Sequence, residues 1–142
     1  MNYHFQVEKE KKGYSAQCLE IPGCITQGDN LKELKENMKE AIELALYEPI
    51  DSKNVAPLPN NKIKLSKLIY LVAPEPQLAL AHMVRYYRLK HNMTQKQIAE
   101  KMGFNDIYSY QRLETPKCNP TLKTILKIKE ILPEISLDLI AA

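Results

Sequence analysis

The chain has 142 residues, with 20 Lys plus Arg against 17 Asp plus Glu, a formal charge of +3, 44% hydrophobic and 26% charged residues. That length suits one ordinary domain or two small ones, and the composition is globular rather than disordered. No apolar run approaches the roughly 18 residues of a membrane-spanning helix. The opening Met1-Asn2-Tyr3-His4-Phe5-Gln6-Val7 lacks a basic segment followed by an apolar one. Cys18, Cys24 and Cys118 cannot all pair internally, so they read as reduced thiols of a cytoplasmic protein.

Tyr3 to Glu8 alternates with period two, placing Tyr3, Phe5 and Val7 on one face and His4, Gln6 and Glu8 on the other. Lys11-Lys12-Gly13 is a turn, and Tyr14 to Leu19 alternates again, so a hairpin is expected. Ile21-Pro22-Gly23 breaks the pattern before a third strand, Cys24 to Gly28. Asn30 is a good helix cap with Glu33 three positions on, as in a capping box. Leu31, Leu34, Met38, Ala41, Ile42 and Ala45 then form one apolar stripe that ends near Pro49. Residues 49–61 read as loop, and Leu68 to Val72 as a fourth strand. The expected order is β-β-β-α-β, a small sheet covered by one helix.

Pro74-Glu75-Pro76 is a linker ending in a proline suited to starting a helix. Gln77 to about Lys90 is helical; Thr94 caps the next helix, and Gly103 ends it in a C′ position. Asn105 or Asp106 caps a helix running to Glu114, with Tyr110 packing inward. Thr121 caps another, whose apolar face is Leu122, Ile125, Leu126, Ile128 and Leu132. Four short capped helices with tight turns describe a compact helical domain. The tail from Ile135 to Ile140 alternates at first, and is expected to be a strand or short segment buried at a two-fold interface, the alternative being a helix-packing end of the domain core. The fold class is therefore α+β: a sheet domain over 1–72, a linker at 73–77 and an all-α domain over 78–142.

Charge divides unevenly. Residues 1–72 carry ten basic and ten acidic side chains, and residues 73–142 carry ten basic and seven acidic, so the whole +3 lies in the second half. Within 76–113, Arg85, Arg88, Lys90, Lys96, Lys101 and Arg112 face only Glu100 and Asp106, a local +4 that suits a polyanion. No catalytic cluster is apparent. Two-metal nuclease chemistry needs carboxylates gathered around ions about 3.5–4 Å apart, and Glu8, Glu10, Glu20 and Asp29 lie at strand ends, turns and a helix start. His4, Cys18 and Cys24 lack zinc spacing, so His4 reads as a sheet-surface residue and the cysteines as small apolar ones. No enzyme, cofactor or metal is expected.

The run Tyr14 to Asp29, with Glu20-Ile21-Pro22-Gly23 and Thr26-Gln27-Gly28-Asp29, followed by Glu36-Asn37-Met38-Lys39-Glu40-Ala41, resembles the HicB antitoxin family over about residues 1–72. The resemblance implies a truncated ribonuclease-H-like fold that has lost catalysis and binds HicA, a small toxin ribonuclease. Thr94-Gln95, Ile98-Ala99, Met102-Gly103 and Arg112-Leu113-Glu114, with the trailing Asn119-Pro120-Thr121-Leu122, resemble the Cro/C1-type helix-turn-helix family over about residues 78–133. That resemblance implies a structural ion pair between Arg88 and Glu114. It also implies phosphate contacts from Gln95 and Lys96, and groove-facing positions at Ile107, Tyr108, Gln111 and Arg112. Arg112 would read guanine and Gln111 adenine, and Asp106 and Lys117 complete the DNA-facing set. Gly103 to Glu114 spans eleven steps where the repressor pattern more often has ten, which places an extra residue in the turn near Asn105.

Together these readings describe a cytoplasmic antitoxin that neutralises a HicA-type toxin and represses its own operon as a homodimer or higher homo-oligomer. The alternative is a stand-alone transcriptional regulator with a ligand-sensing first domain. A helix-turn-helix used only for dimerisation is a further reading of the second half.

Overall fold

The structure, a computed structural model, describes residues 1–141. The chain divides into a sheet unit, residues 1–47 and 56–74, and a helical unit, residues 48–55 and 75–141.

In the sheet unit, β1 (Tyr3–Lys9), β2 (Tyr14–Cys18), β3 (Ile25–Gly28) and β4 (Ile69–Val72) form an antiparallel sheet of order β3-β2-β1-β4. The pairs Phe5↔Cys18, Val7↔Ala16 and Tyr3↔Val72 put the apolar alternates on one face. Helix α1 (Leu31–Leu46) covers that face with Leu34, Met38, Ile42 and Leu46, spaced one turn apart and all buried. Its start is set by Asn30, whose Oδ1 accepts the Glu33 N–H at 2.9 Å. Gly28 lets α1 come this close: a Cβ there would stand 2.6 Å from Leu34 N.

His4 does not behave as a sheet-surface residue. It is 5% exposed, and its Nδ1 lies 2.7 Å from Glu20 Oε2. Alternation places His4 correctly on the face away from α1, but it carries no information about a partner sixteen residues later.

The helical unit contains α2 (Pro76–Lys90), α3 (Gln95–Lys101), α4 (Ile107–Gln111), a 3-10 turn (Arg112–Glu114), α5 (Leu122–Ile131) and α6 (Leu137–Ala141). Pro76 sits in the first turn of α2. Thr94 and Gln97 form a reciprocal capping box on α3. Asp106 caps α4 and Thr121 caps α5 through their side-chain oxygens. Gly103, at φ +76°, turns the chain out of α3.

The expected strand at the C-terminal tail is absent. Ile135 is buried within the unit, and Leu137–Ala141 is a helix packed against α2. Two apolar–polar alternations are too few to separate period 2 from period 3.6, and Leu137 and Ile140 are also spaced for one helix face. The helix expected to run to Glu114 is likewise split. It leaves α-geometry after Gln111, and Thr115 N–H closes the 3-10 turn on Arg112 O at 3.2 Å.

Candidate nucleic-acid interface

The helical unit is organised around one carboxylate. Glu114, with a side chain 0% exposed, receives five hydrogen bonds from three helices. Its Oε1 accepts from Arg88 Nε and from the Tyr110 hydroxyl, each at 2.5 Å. Its Oε2 accepts from Arg85 Nε at 3.2 Å, Arg88 Nη2 at 3.4 Å and Gln95 Nε2 at 3.1 Å. Burial alone would lower the Arg88 pKa, but the hydrogen bond and charge of Glu114 outweigh it and hold the guanidinium protonated. Burial, then the adjacent Glu114 charge, pushes the Tyr110 hydroxyl well above its ordinary value, so it remains a donor.

This cluster fixes α3 and α4 against α2. Arg88 Nη1 also donates to Met93 O at 2.9 Å, closing the α2–α3 turn. Gln111 Nε2 on α4 donates to Gln95 Oε1 on α3 at 2.9 Å, and Gln95 Nε2 reaches Ile50 O at 2.6 Å. Arg85 was not singled out by the sequence motifs as a partner of Glu114. The available signal was its position three residues before Arg88, on the same face of α2. Two guanidiniums on one carboxylate leave an excess positive charge, and among the described residues Arg85 Nη2 is buried with no hydrogen-bond partner.

The residues expected to face DNA divide by what they already touch. Tyr108 is 73% exposed, and Arg112, Lys96 and Lys117 are also exposed. Ile107 is half-buried on the first turn of α4. Gln95 and Gln111 are half-buried and hydrogen-bonded to each other. The carboxylate of Asp106 is taken up by the cap: Oδ1 accepts Ser109 N–H at 2.8 Å, and Oδ2 lies 3.2 Å from Ser109 Oγ. The basic stretch 76–113 also divides, because Arg85 and Arg88 neutralise Glu114 inside the unit. Lys90, Lys96, Lys101 and Arg112 are left at the surface. The local positive surface is thus smaller than the sequence count suggests, and it lies on α3, on the turn after α4 and at the end of α2.

The sheet unit offers a different feature. A groove of about 590 Å³ lies between α1 and the β2–β3 connection, lined by Ile21, Cys24, Ile25, Asn37, Glu40 and Leu44 among others. Among the described residues, no group of three His, Cys, Asp or Glu side chains is placed to hold a metal ion, and no helix is long and apolar enough to cross a membrane.

Comparison with known proteins gives two results. Residues 84–140 match the Helix-turn-helix family, the segment that contains α3, α4 and the Glu114 cluster. Separately, the chain is 38% identical over 72 residues to a UPF0150 protein of Synechocystis sp., covering 50% of this chain and 89% of that relative. It is 45% identical over 47 residues to a UPF0150 protein of Archaeoglobus fulgidus, 32% of this chain and 68% of the relative. A third UPF0150 protein, from Thermotoga maritima, is 38% identical over 50 residues, 35% of this chain and 67% of the relative.

Proposed function

This chain belongs to the UPF0150 family and carries a helix-turn-helix domain, and from that premise we propose that it is a HicB-type antitoxin: its sheet unit binds and neutralises a HicA-type toxin ribonuclease, and its helical unit represses the toxin–antitoxin operon. The observation that carries the DNA-binding half is the contrast within α4 and its 3-10 extension. Tyr110 and Glu114 anchor the element inward while Tyr108 and Arg112 stand free on its outer side. A short helix held this firmly presents its exposed side chains at low entropic cost, as groove reading requires.

In this reading Arg112 contacts a base edge, Tyr108 and Ile107 pack in the groove, and Lys96 and Lys117 contact phosphate. Gln95 orients Gln111 from beneath, so the pair acts jointly, and Asp106 positions α4 through its cap. Sequence-specific reading by one short helix is limited to a few base pairs, so the protein acts as a dimer on a palindromic operator. Leu122 and Leu126, one turn apart on α5 and 71% and 60% exposed, supply an apolar face for pairing. The mechanism in the sheet unit is occlusion: the toxin is held against the antitoxin so that its RNA-cleaving surface is covered.

The groove favours one second reading, a regulator whose sheet unit senses a small ligand, since its volume lies within the usual range for such sites. The two readings part in one experiment. The antitoxin reading requires a small open reading frame of about 60–80 codons beside the gene, and the full chain is co-expressed with the product of that frame. Expression of that product alone should arrest growth, and co-expression should restore it. A product that is harmless alone, or an arrest that the full chain does not relieve, contradicts the antitoxin reading.

A further inference from the structure

We propose that Cys18 and Cys24 form a peroxide-reactive dithiol that closes to an intrachain disulfide across the β2–β3 pair. The register Ala16↔Thr26 and Gln17↔Ile25 continues one step to set Cys18 opposite Cys24, and Cys18 N–H donates to Cys24 O at 2.8 Å. Opposed residues of an antiparallel pair stand about 4.5–5.5 Å apart at Cα, inside the range of roughly 4.4–6.8 Å that a disulfide spans. Strand alternation also sends both side chains to the same side of the sheet. The intervening turn is tight: Gly23 has φ +83°, and Cys24 N–H bonds to Ile21 O at 3.2 Å. The two cysteines are therefore held opposite each other by backbone that is already formed.

Access and reactivity are unequal between the two thiols. Both thiols are buried, Cys24 at 6% and Cys18 at 4% exposure, but Cys24 borders the open groove beside α1 and Cys18 does not, so the groove is the route by which a small oxidant would reach the pair. The hydrogen bond from Cys18 lowers the Cys24 pKa against the opposing effect of burial, while the same contact and burial raise that of Cys18. Its place at the groove assigns Cys24 as the nucleophile and Cys18 as the resolving thiol. The third cysteine is an internal control: Cys118 lies in the helical unit, its pKa is raised by burial, and its thiol lies 3.7 Å from Gln77 O.

The chemistry balances with hydrogen peroxide as oxidant. The Cys24 thiolate attacks one peroxide oxygen; the O–O bond breaks, and hydroxide leaves and is protonated to water. Cys24 becomes a sulfenic acid. The Cys18 sulfur then attacks the Cys24 sulfur, the S–O bond breaks, and the second hydroxide leaves as water with the Cys18 proton. Two thiols and one peroxide yield one disulfide and two waters. Closure also removes the thiol donor that Cys18 presents to Glu20 Oε1 at 3.7 Å. This inference stands apart from what the sheet unit binds.

The test uses the full chain, treated with hydrogen peroxide, then denatured and alkylated. Of its three free thiols, two should be lost, the chain mass should fall by two hydrogen atoms before alkylation, and digestion should yield a linked Cys18–Cys24 peptide that dithiothreitol releases. Cys118→Ser should behave like the parent, and Cys18→Ser should leave a sulfenic acid at Cys24 that dimedone traps. Retention of all three thiols, a disulfide through Cys118 or between two chains, or over-oxidation of Cys24 with Cys18 still free would each overturn the proposal. Because the parent protein itself gives the thiol count and the linked peptide, the outcome does not depend on any variant folding.

Discussion

Each unit buries one glutamate where chain segments meet, and the two sites are built differently. In the sheet unit, the Glu20 side chain is 3% exposed; Oε1 accepts His4 N–H at 2.9 Å, and Oε2 accepts Asn60 N–H at 3.1 Å and faces His4 Nδ1 at 2.7 Å. In the helical unit, Glu114 is enclosed by Arg85, Arg88, Tyr110 and Gln95. Glu20 is held chiefly by backbone amides and one histidine, so neutralising it strands no arginine. Glu114 balances two permanent cations in the interior, and neutralising it leaves both uncompensated. The first arrangement ties a loop to a sheet, whereas the second ties α2, α3 and α4 to one carboxylate.

The same substitution at both sites separates them. Glu114→Gln should destabilise the helical unit by about 3–5 kcal/mol, the usual result of stranding a buried charge, and thermal denaturation followed by circular dichroism should show an early helical transition. Arg88→Ala should cost about 3 kcal/mol, toward the lower end, because Arg85 still compensates Glu114. An unchanged melting curve with weakened DNA binding would instead make Arg88 a phosphate contact. Tyr110→Phe removes one donor to the carboxylate and should cost about 1–3 kcal/mol.

Tyr110 also predicts a pH signature. Its folded-state pKa is raised above the ordinary 10.0, so its contribution is complete below that value and declines as pH rises past it, where only the unfolded chain gives up the proton. Comparison of alkaline unfolding in the parent and Tyr110→Phe should show the parent losing stability more steeply above that pH. Glu20→Gln should cost about 1–3 kcal/mol, less than Glu114→Gln, because the amide oxygen keeps one of the two backbone N–H donors while its NH2 group faces the other. A loss as large as that of Glu114→Gln would erase the distinction between the two sites.

What the sequence made legible follows the same division. Local signals worked: the Asn30 and Thr94 caps, the alternation of Tyr3, Phe5 and Val7, and the Gly103 turn all depend on residues within a few positions of one another. Of the long-range polar pairs, Arg88–Glu114 was legible only through the family resemblance, and nothing near His4 indicates that Glu20 meets it. The charge count of 76–113 included Arg85 and Arg88, which are interior, because composition cannot tell a solvated arginine from one folded onto a carboxylate. The tail stayed ambiguous because an amphipathic pattern only six residues long fits both a strand and a helix turn.

The most direct test of DNA reading by the α4 surface is fluorescence anisotropy with the full-length protein on DNA from upstream of its own gene and on a scrambled duplex, for the parent and Arg112→Ala. The side chain of Arg112 is exposed, so the variant should melt with the parent to within about 0.5 kcal/mol. Its binding to the upstream DNA should weaken by about 1–3 kcal/mol, with the preference at one base position relaxed. Equal affinity of the parent for both duplexes, or full retention of preference by Arg112→Ala, would contradict the account.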